Sequence, residues 1–199
     1  MSVRTASRLL PRTPSQATTT LFLSRRSFIT LPSSPTQHLS ARRTLPYPPA
    51  PLYDLISDID SYHTFVPYCS HSAVTSWSDP DPQNANRRWP VLADLHVGWG
   101  GFEEVFTSRL RCVPGKSVEA VSGGEGKDAS TVFKSLVTRW EVEGKGEERT
   151  DVRLDIRFQF VNPLYAAVSS AVSDKIAGMM IEAFEKRARE QLGRGRGTL

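Results

Sequence analysis

The sequence predicts an α+β domain in which a curved antiparallel sheet of about six strands wraps on a long C-terminal helix, with two short helices before the sheet. Two observations lead to this fold class. Between residues 91 and 160, apolar and polar residues alternate with the period of a β-strand. After residue 163, apolar residues recur every three or four positions, which is the period of an amphipathic helix. One long helix of this kind can cover the apolar face of such a sheet.

Two short helical segments are predicted before the sheet. Residues 49–57 carry prolines at their start, where a helix tolerates them because its first N–H groups have no partner within the helix. Residues 58–67 predict a second helical turn. Pro67 ends this turn, because the residue before a proline avoids the helical conformation.

Six strands are predicted next. A strand over 70–77 is followed by the polar segment 78–87, whose prolines and asparagines indicate a loop. The other five strands cover 91–99, 102–112, a short segment around Val118 and Ala120, 131–142 and 152–160. The last of these has the clearest alternation, with one face formed by Val152, Leu154, Ile156, Phe158 and Phe160.

The long helix is predicted to begin at Pro163, with Asn162 as its cap, and to end near Leu192. Its apolar stripe consists of Leu164, Val168, Ala171, Val172, Ile176, Met179, Met180, Ala183 and Phe184. A curved sheet wrapped on one helix commonly leaves a cavity between them, and an apolar cavity with a few polar groups is a ligand-binding architecture.

The charge distribution divides the chain into regions. Residues 1–45 contain seven arginines, no lysine and no acidic residue, which is the composition of a mitochondrial transit peptide. We therefore expect a transit peptide and disordered linker over residues 1–44, with Arg25-Arg26-Ser27-Phe28 as the processing neighbourhood. The folded domain is expected over 45–192, followed by a flexible tail at 193–199.

Composition also excludes several classes of function. No apolar run approaches the roughly 18 residues that a membrane-spanning helix needs. Cys69 and His71 lie two positions apart, but no second pair has the spacing of a zinc site, so no metal is expected. After residue 45 the chain has 18 basic residues, which is the total of 25 less the seven before it, against 21 acidic ones. The basic pI therefore does not indicate binding to nucleic acid.

Five segments carry a resemblance to a known family. In order along the chain they are Asp60–Cys69 (DSYHTFVPYC), Ala93–Trp99 (ADLHVGW), Phe102–Arg109 (FEEVFTSR), Phe158–Tyr165 (FQFVNPLY) and Ala183–Ala188 (AFEKRA). Together with the order of the elements, they resemble the mitochondrial coenzyme Q-binding protein family, within the START/polyketide cyclase-like superfamily and its helix-grip fold.

This resemblance implies a lipid-binding protein that is not an enzyme and has no cofactor or catalytic residue. Its ligand would be coenzyme Q (ubiquinone) or a related polyprenyl quinone, held in an apolar cavity. The implied role is a lipid chaperone or carrier required for respiratory electron transport and coenzyme Q biosynthesis. The implied location is the matrix side of the mitochondrial inner membrane, in peripheral contact. Respiratory-chain or quinone-biosynthesis complexes would be partners, and nucleic acid would not.

The residues predicted to line the cavity are mostly apolar: Phe65, Val66, Leu95, Val97, Trp99, Phe102, Glu104, Phe106, Ser108, Trp140, Val172, Ile176 and Met180. Strand alternation turns Glu104 and Ser108 to the same side as Phe106. A polar group that faces an apolar interior needs a partner. Two interpretations stay open: either the pair orients the quinone head group, or it bonds to neighbouring backbone or to Arg109 and Arg139.

Phe65-Val66-Pro67 is likewise either a gate over the cavity or ordinary core packing. Two other functions also stay open. One is a polyketide cyclase-like enzyme acting on an aromatic or quinone precursor, because this fold hosts such reactions. The other is a ribosome-associated interaction module. His96 is expected on the strand face opposite Leu95 and Val97, as a solvated histidine.

Overall fold

The computed structural model describes residues 35–99, 102–124 and 130–193, and only the backbone of Trp99, Phe102 and residues 163–174. Its strands and α-helices are β1 (Gln37–Leu45), α1 (Pro49–Ser57), β2 (Cys69–Trp77), β3 (Pro90–Trp99), β4 (Phe102–Val113), β5 (Ser117–Gly123), β6 (Phe133–Gly144), β7 (Thr150–Phe160) and α2 (Pro163–Leu192). Two short 3₁₀ helices, Ile59–Thr64 and Pro82–Asn84, precede β3.

All seven strands belong to one antiparallel sheet, in the order β1-β7-β6-β5-β4-β3-β2. The sheet is a meander from β2 to β7, because each of these strands pairs with the next along the chain. The predicted fold class is confirmed: a curved antiparallel sheet, one long C-terminal helix and two short helical segments before the meander.

The strand that the sequence did not predict is β1. It pairs residue by residue with β7, from Gln37 opposite Phe158 to Leu45 opposite Thr150. The expectation of an irregular linker up to residue 44 is therefore wrong for residues 37–44. The physical reason is a short alternation, since Leu39 and Leu45 are buried while His38, Ser40 and Thr44 are exposed.

Two of the seven leader arginines belong to this strand and have structural partners. Arg42 forms a salt bridge with Asp151 on β7. Arg43 lies on the other face, 3.7 Å from Glu185 of α2. Their charges therefore balance acidic groups of the folded domain, and the remaining five arginines of the leader lie outside the described residues.

The register defines one inner face of the sheet. Leu154 of β7 lies opposite Trp140 of β6, which lies opposite Val118 of β5, which in turn lies opposite Cys112 of β4. The first three of these side chains are buried, with exposed fractions of 0 %, 4 % and 2 %. The core therefore forms between this inner face, α1 and α2.

The buried side of α2 differs from the predicted stripe by a shift of about one residue. In the part whose side chains are described, the helix buries Ala177, Ile181, Phe184 and Ala188, whereas Ile176 is 37 % exposed. The place of Ile176 among the residues that line a cavity stays a prediction. Residues 176–181 are Ile-Ala-Gly-Met-Met-Ile, so they are apolar around the whole circumference and only packing selects the buried side. Within the described residues, no helix combines the length and apolarity needed to cross a membrane.

We expect Leu39→Ala to lower the free energy of unfolding by about 2–4 kcal/mol, because it leaves a cavity under a buried strand. Ser40→Ala is the matched control, since Ser40 is exposed on the other face of β1, and it should change that free energy by less than about 0.5 kcal/mol. Urea unfolding of both variants measures the difference. Equal stabilities would mean that β1 is not part of the folded domain.

Candidate functional site

The inner face of β3 and β4 brings together most of the residues predicted to form the cavity. Leu95 lies opposite Phe106, and Val97 lies opposite Glu104. The backbones of Trp99 and Phe102 continue this series, although their side chains lie outside the described residues. The two strands therefore present one continuous surface that is apolar except for Glu104 and Ser108.

This surface is less covered than the inner side of β7. On β7 the inward residues Val152, Leu154 and Ile156 are buried. On β3 and β4 Ala93 is buried, but four apolar inward side chains are only half-buried: Leu95, Val97, Phe106 and Leu110. Apolar side chains that face inward but remain in contact with solvent lose hydrophobic stabilisation. Binding an apolar ligand on this half of the inner face would bury these side chains and so lower the free energy of the complex.

Glu104 is held by the chain segment that precedes β6. Its carboxylate accepts hydrogen bonds from the Ser130 hydroxyl at 2.8 Å, from the Thr131 N–H at 2.8 Å and from the Thr131 hydroxyl at 2.7 Å. Burial opposes ionisation, but these three bonds outweigh it and lower the pKa of Glu104 below its ordinary value. The ionised carboxylate can only accept hydrogen bonds, so it cannot donate one to a ligand.

Ser108 has its partner on the neighbouring strand. Its Oγ lies 2.6 Å from the Oγ of Ser122 on β5, and both residues are buried. One hydroxyl donates to the other, so the pair retains one O–H group that can still donate. Neither Glu104 nor Ser108 bonds to Arg139, which lies on the outer face and pairs with Glu119 and Glu141.

Phe65, Val66 and Trp140 lie in a packed aromatic region rather than on the half-buried surface. The rings of Phe65 and Phe184 have centroids 4.9 Å apart, and those of Trp140 and Phe184 are 4.4 Å apart. Val66 is 6 % exposed. These observations favour core packing over a gate for Phe65-Val66, since Phe65 contacts α2 and Val66 is part of the buried core.

The remaining predicted positions are on α2. Met180 is half-buried and packs against the core, which leaves it at the border of the surface. The side chain of Val172 lies outside the described residues. Sequence reasoning missed Ser122, Ser130 and Thr131, which bond to the two predicted polar residues. Their partnership depends on strand register and on a loop, and no local pattern in the sequence signals it.

Three histidines lie close together beside the edge strand β2. The rings of His71 and His96 have centroids 5.0 Å apart, and those of His63 and His71 are 6.4 Å apart. His63 and His71 are exposed, and His96 faces away from Leu95, as strand alternation predicts. Among the described residues no group of three or more His, Cys, Asp or Glu side chains has an arrangement suited to a metal ion.

Comparison with known proteins assigns the family. The family model described as "Polyketide cyclase / dehydrase and lipid transport" matches residues 45–185. The chain belongs to this family. The similarity expected from the five sequence segments is thereby confirmed, including its likeness to coenzyme Q-binding relatives.

Two relatives of this chain have different names at nearly equal sequence identity. The mitochondrial "Coenzyme Q-binding protein coq10" of Schizosaccharomyces pombe is 32% identical over 149 residues, which are 75% of this chain and 85% of the relative. "Ribosome association toxin RatA" of Pseudomonas aeruginosa is 31% identical over 157 residues, which are 78% of this chain and 98% of the relative.

Solved structures with low sequence identity share the fold. The Zhui aromatase/cyclase from Streptomyces sp. R1128 superimposes with a TM-score of 0.67 at 15% identity, covering 82% of this chain and 100% of that one. A START superfamily protein from Mycobacterium smegmatis superimposes with a TM-score of 0.60 at 18% identity, covering 78% and 98%. At this identity the likeness concerns the fold alone.

We expect Glu104→Ala to speed amide hydrogen exchange at Thr131 about tenfold or more, because the variant removes a charge-assisted hydrogen bond that holds this amide. Glu103→Ala is the matched control, since Glu103 is exposed on the opposite face, and it should leave the exchange rate unchanged.

The hydrogen bond from the Thr131 N–H to Glu104 should make the exchange rate of this amide depend on pH. Because the folded-state pKa of Glu104 is lowered, its contribution to stability is present above the unfolded-state pKa of about 4.3 and is lost as the pH falls through the folded-state pKa. The protection factor of the Thr131 amide against hydrogen exchange should fall as the pH is lowered below about 4.3 in the wild type. It should not fall in Glu104→Ala. Identical profiles in the two proteins would contradict the role of Glu104.

Proposed function

We propose that this protein binds coenzyme Q (ubiquinone) on the half-buried inner face of β3 and β4 and carries it as a lipid chaperone, without catalysing a reaction on it. The observation that carries the proposal is the contrast within one sheet face. The β7 side chains of that face are buried, whereas Leu95, Val97 and Phe106 remain half-buried. An apolar tail laid on this surface would gain roughly 25 cal/mol for each Å² removed from water, before ordering costs.

The proposed wall consists of the inward residues of β3 and β4, with Trp140 and Met180 at its borders and Phe65 and Val66 packed beside it. Val172 and Ile176 of α2 stay proposed as further lining residues. A quinone head carries two carbonyl oxygens, which accept hydrogen bonds and need donors. The remaining O–H of the Ser108–Ser122 pair is one such donor. Glu104 instead stabilises the segment around Thr131 as an ionised acceptor, which keeps the edge of the proposed site in one shape.

The names of several relatives support the quinone as ligand. Coenzyme Q-binding proteins of Schizosaccharomyces pombe, Eremothecium gossypii and Saccharomyces cerevisiae are 26–32% identical to this chain. These relatives are also described as mitochondrial. Combined with the acid-free, arginine-rich leader, their names support a mitochondrial location, with peripheral contact with the matrix side of the inner membrane as the finer proposal.

The position of β1 constrains the processing of the proposed transit peptide. Residues 37–45 form nine paired positions with β7, so cleavage within or after them would remove a strand of the sheet. Cleavage near Arg25-Arg26-Ser27-Phe28 would retain the whole strand. Respiratory electron transport and coenzyme Q biosynthesis are the proposed processes that the carried quinone serves.

Association with ribosomes is the second candidate function, and the similarity to the RatA protein of Pseudomonas aeruginosa favours it. The charge of the chain weighs against it, since the part after residue 45 is net acidic and offers little attraction to RNA phosphates. Co-sedimentation with ribosomes at physiological salt would favour this candidate over the quinone carrier. A cyclase reaction rests on the fold alone, which does not determine a reaction.

We expect Leu95→Glu to weaken the binding of a short-chain ubiquinone at least tenfold, because a carboxylate on the inner face would have to be desolvated beneath the apolar ligand. Val105→Glu is the matched control. Val105 is the neighbour of Phe106 on β4, but it lies on the outer face and is 48 % exposed.

Affinity can be measured by quenching of tryptophan fluorescence, after circular dichroism has shown that both variants are folded. The control should bind within about twofold of the wild type. Equal affinities for Leu95→Glu and Val105→Glu would exclude the inner face of β3 as the binding surface. If Leu95→Glu does not fold, Leu95→Asn provides the same comparison with a neutral side chain.

A further inference from the structure

Two apolar side chains are exposed at one end of the sheet. Tyr68 directly precedes β2 and is 46 % exposed, and Val161 directly follows β7 and is 56 % exposed. Successive strands of the meander alternate in direction, so the start of β2 and the end of β7 lie at the same end of the sheet. We call this end, with its two exposed side chains, the Tyr68–Val161 end.

Backbone hydrogen bonds fix both residues in place. The carbonyl of Tyr68 accepts a hydrogen bond from the N–H of Gly98 on β3, at 2.9 Å. The N–H of Val161 donates to the carbonyl of Val132, which directly precedes β6, also at 2.9 Å. Each exposed side chain is therefore carried by a backbone position that is tied to a neighbouring strand, rather than by a free chain end.

The backbone of Tyr68 has an unfavourable conformation for an aromatic residue. Its φ angle is 63°, in the left-handed region that glycine and asparagine adopt readily and bulky residues rarely adopt. The ring is not part of the hydrophobic core formed by the described residues, so core packing does not offset this cost. A partner outside the folded domain would account for an aromatic side chain at this position.

The opposite end of the inner face is closed. There α1 packs against β5 and β6, and the Tyr53 ring meets the Trp89 ring with centroids 5.6 Å apart. These two residues are only 2 % and 9 % exposed. Toward the Tyr68–Val161 end, by contrast, Val97 and Phe106 remain half-buried. The half-buried surface of β3 and β4 is therefore more accessible from the Tyr68–Val161 end than from the end under α1.

The small extent of the exposed apolar surface indicates which partner suits it. A stable protein interface buries about 800 Å² on each partner, whereas one aromatic side chain buries about 150–250 Å² in all. Tyr68 and Val161 together are too small for a second copy of the chain. A bilayer is a continuous apolar phase, so a few inserted side chains suffice. Tyrosine suits its boundary, because the ring is apolar and the hydroxyl can stay hydrated.

The charges at this end do not favour a strongly charged partner. Two exposed charged side chains near it have opposite signs, Glu103 on β4 and Lys134 on β6. The part of the chain after residue 45 has 18 basic against 21 acidic residues. Attraction to anionic lipid head groups is therefore small. Contact with a bilayer should depend on apolar burial and change little with salt concentration.

We propose that the Tyr68–Val161 end docks on the surface of a phospholipid bilayer, with the Tyr68 ring and the Val161 side chain inserted among the lipid head groups. The half-buried surface of β3 and β4 then opens toward the bilayer, and an apolar ligand passes between the two without crossing water. This proposal specifies the surface that makes the proposed membrane contact. It rests on the proposed function for the identity of the lipid that passes.

Flotation of the full chain with vesicles of phosphatidylcholine tests the docking, because this zwitterionic lipid does not attract the arginines of the leader. We expect the double variant Tyr68→Asn/Val161→Ser to bind these vesicles about tenfold more weakly than the wild type, since less apolar surface is inserted. Its melting temperature should not fall, because asparagine adopts the left-handed conformation more readily than tyrosine and Val161 is exposed.

Trp77→Thr is the matched control. Trp77 ends β2 at the opposite end of the sheet and is 46 % exposed, the same fraction as Tyr68. If any exposed aromatic side chain promoted membrane binding, this variant would also bind more weakly. We expect it to bind the vesicles within about twofold of the wild type.

The outcomes separate this inference from the proposed function. If the wild type does not bind the vesicles, the proposed membrane contact and this inference fail together. If the double variant binds as well as the wild type, another surface docks and only this inference is overturned. Binding that requires anionic lipid and is lost at high salt would also overturn it. A wild-type dimer that becomes a monomer in the double variant would assign this end to a second copy instead.

Binding of decylubiquinone without vesicles tests the ligand separately. The double variant should keep the wild-type affinity, because both residues lie beyond the strands that form the inner face. If the wild type docks through this end but binds no decylubiquinone, the proposed ligand is wrong and the docking surface stands. Val161→Trp covers the case in which the double variant does not fold. It should bind vesicles more tightly than the wild type, and unchanged binding would contradict insertion at this position.

Discussion

The contact between Phe184 of α2 and Trp140 of β6 is the interaction on which the rest of the domain depends. Their ring centroids lie 4.4 Å apart, and Phe184 also packs against Tyr62 at 5.2 Å and Phe65 at 4.9 Å. One helix residue thus joins the sheet to the segment that follows α1. The same helix contacts β1 and β7, and the inward side chains of β7 are buried, while Leu95, Val97 and Phe106 on β3 and β4 are half-buried.

The polar groups near the inner face follow a consistent pattern. Glu104 has three donors from Ser130 and Thr131, and Ser108 has Ser122, so the protein itself satisfies these two groups. The second O–H of the Ser108–Ser122 pair can still donate, so the surface suits a molecule that combines an apolar tail with a carbonyl acceptor.

The sequence was sufficient for the fold class but not for the edge strand. Strand alternation and the helical period after Pro163 are strong local signals, and each corresponds to an element of the structure. In β1 the alternation is limited to Leu39, Ala41 and Leu45, and Arg43 interrupts it on the inner face. Composition alone therefore indicated a leader. In the structure both arginines belong to the domain, because Arg42 pairs with Asp151 and Arg43 contacts Glu185 of α2.

The part of the site on β3 and β4 could be predicted, because side chains alternate between the two faces of a strand. Leu95, Val97, Glu104, Phe106 and Ser108 do share one surface. The phase of α2 was not predictable, because residues 176–181 are apolar on every side and packing alone buries Ala177 and Ile181 while exposing Ile176. The partners of Glu104 depend on contacts between segments that are distant along the chain. Such contacts leave no local signal in composition or periodicity.

Mass spectrometry of organic extracts tests the central claim most directly. A protein comprising residues 35–199, which retains all of β1, would be purified from a host that makes ubiquinone and extracted without added ligand. The proposed carrier should release about one ubiquinone per chain. A protein that releases no lipid, or phospholipid alone, would contradict a quinone site on the inner face of β3 and β4.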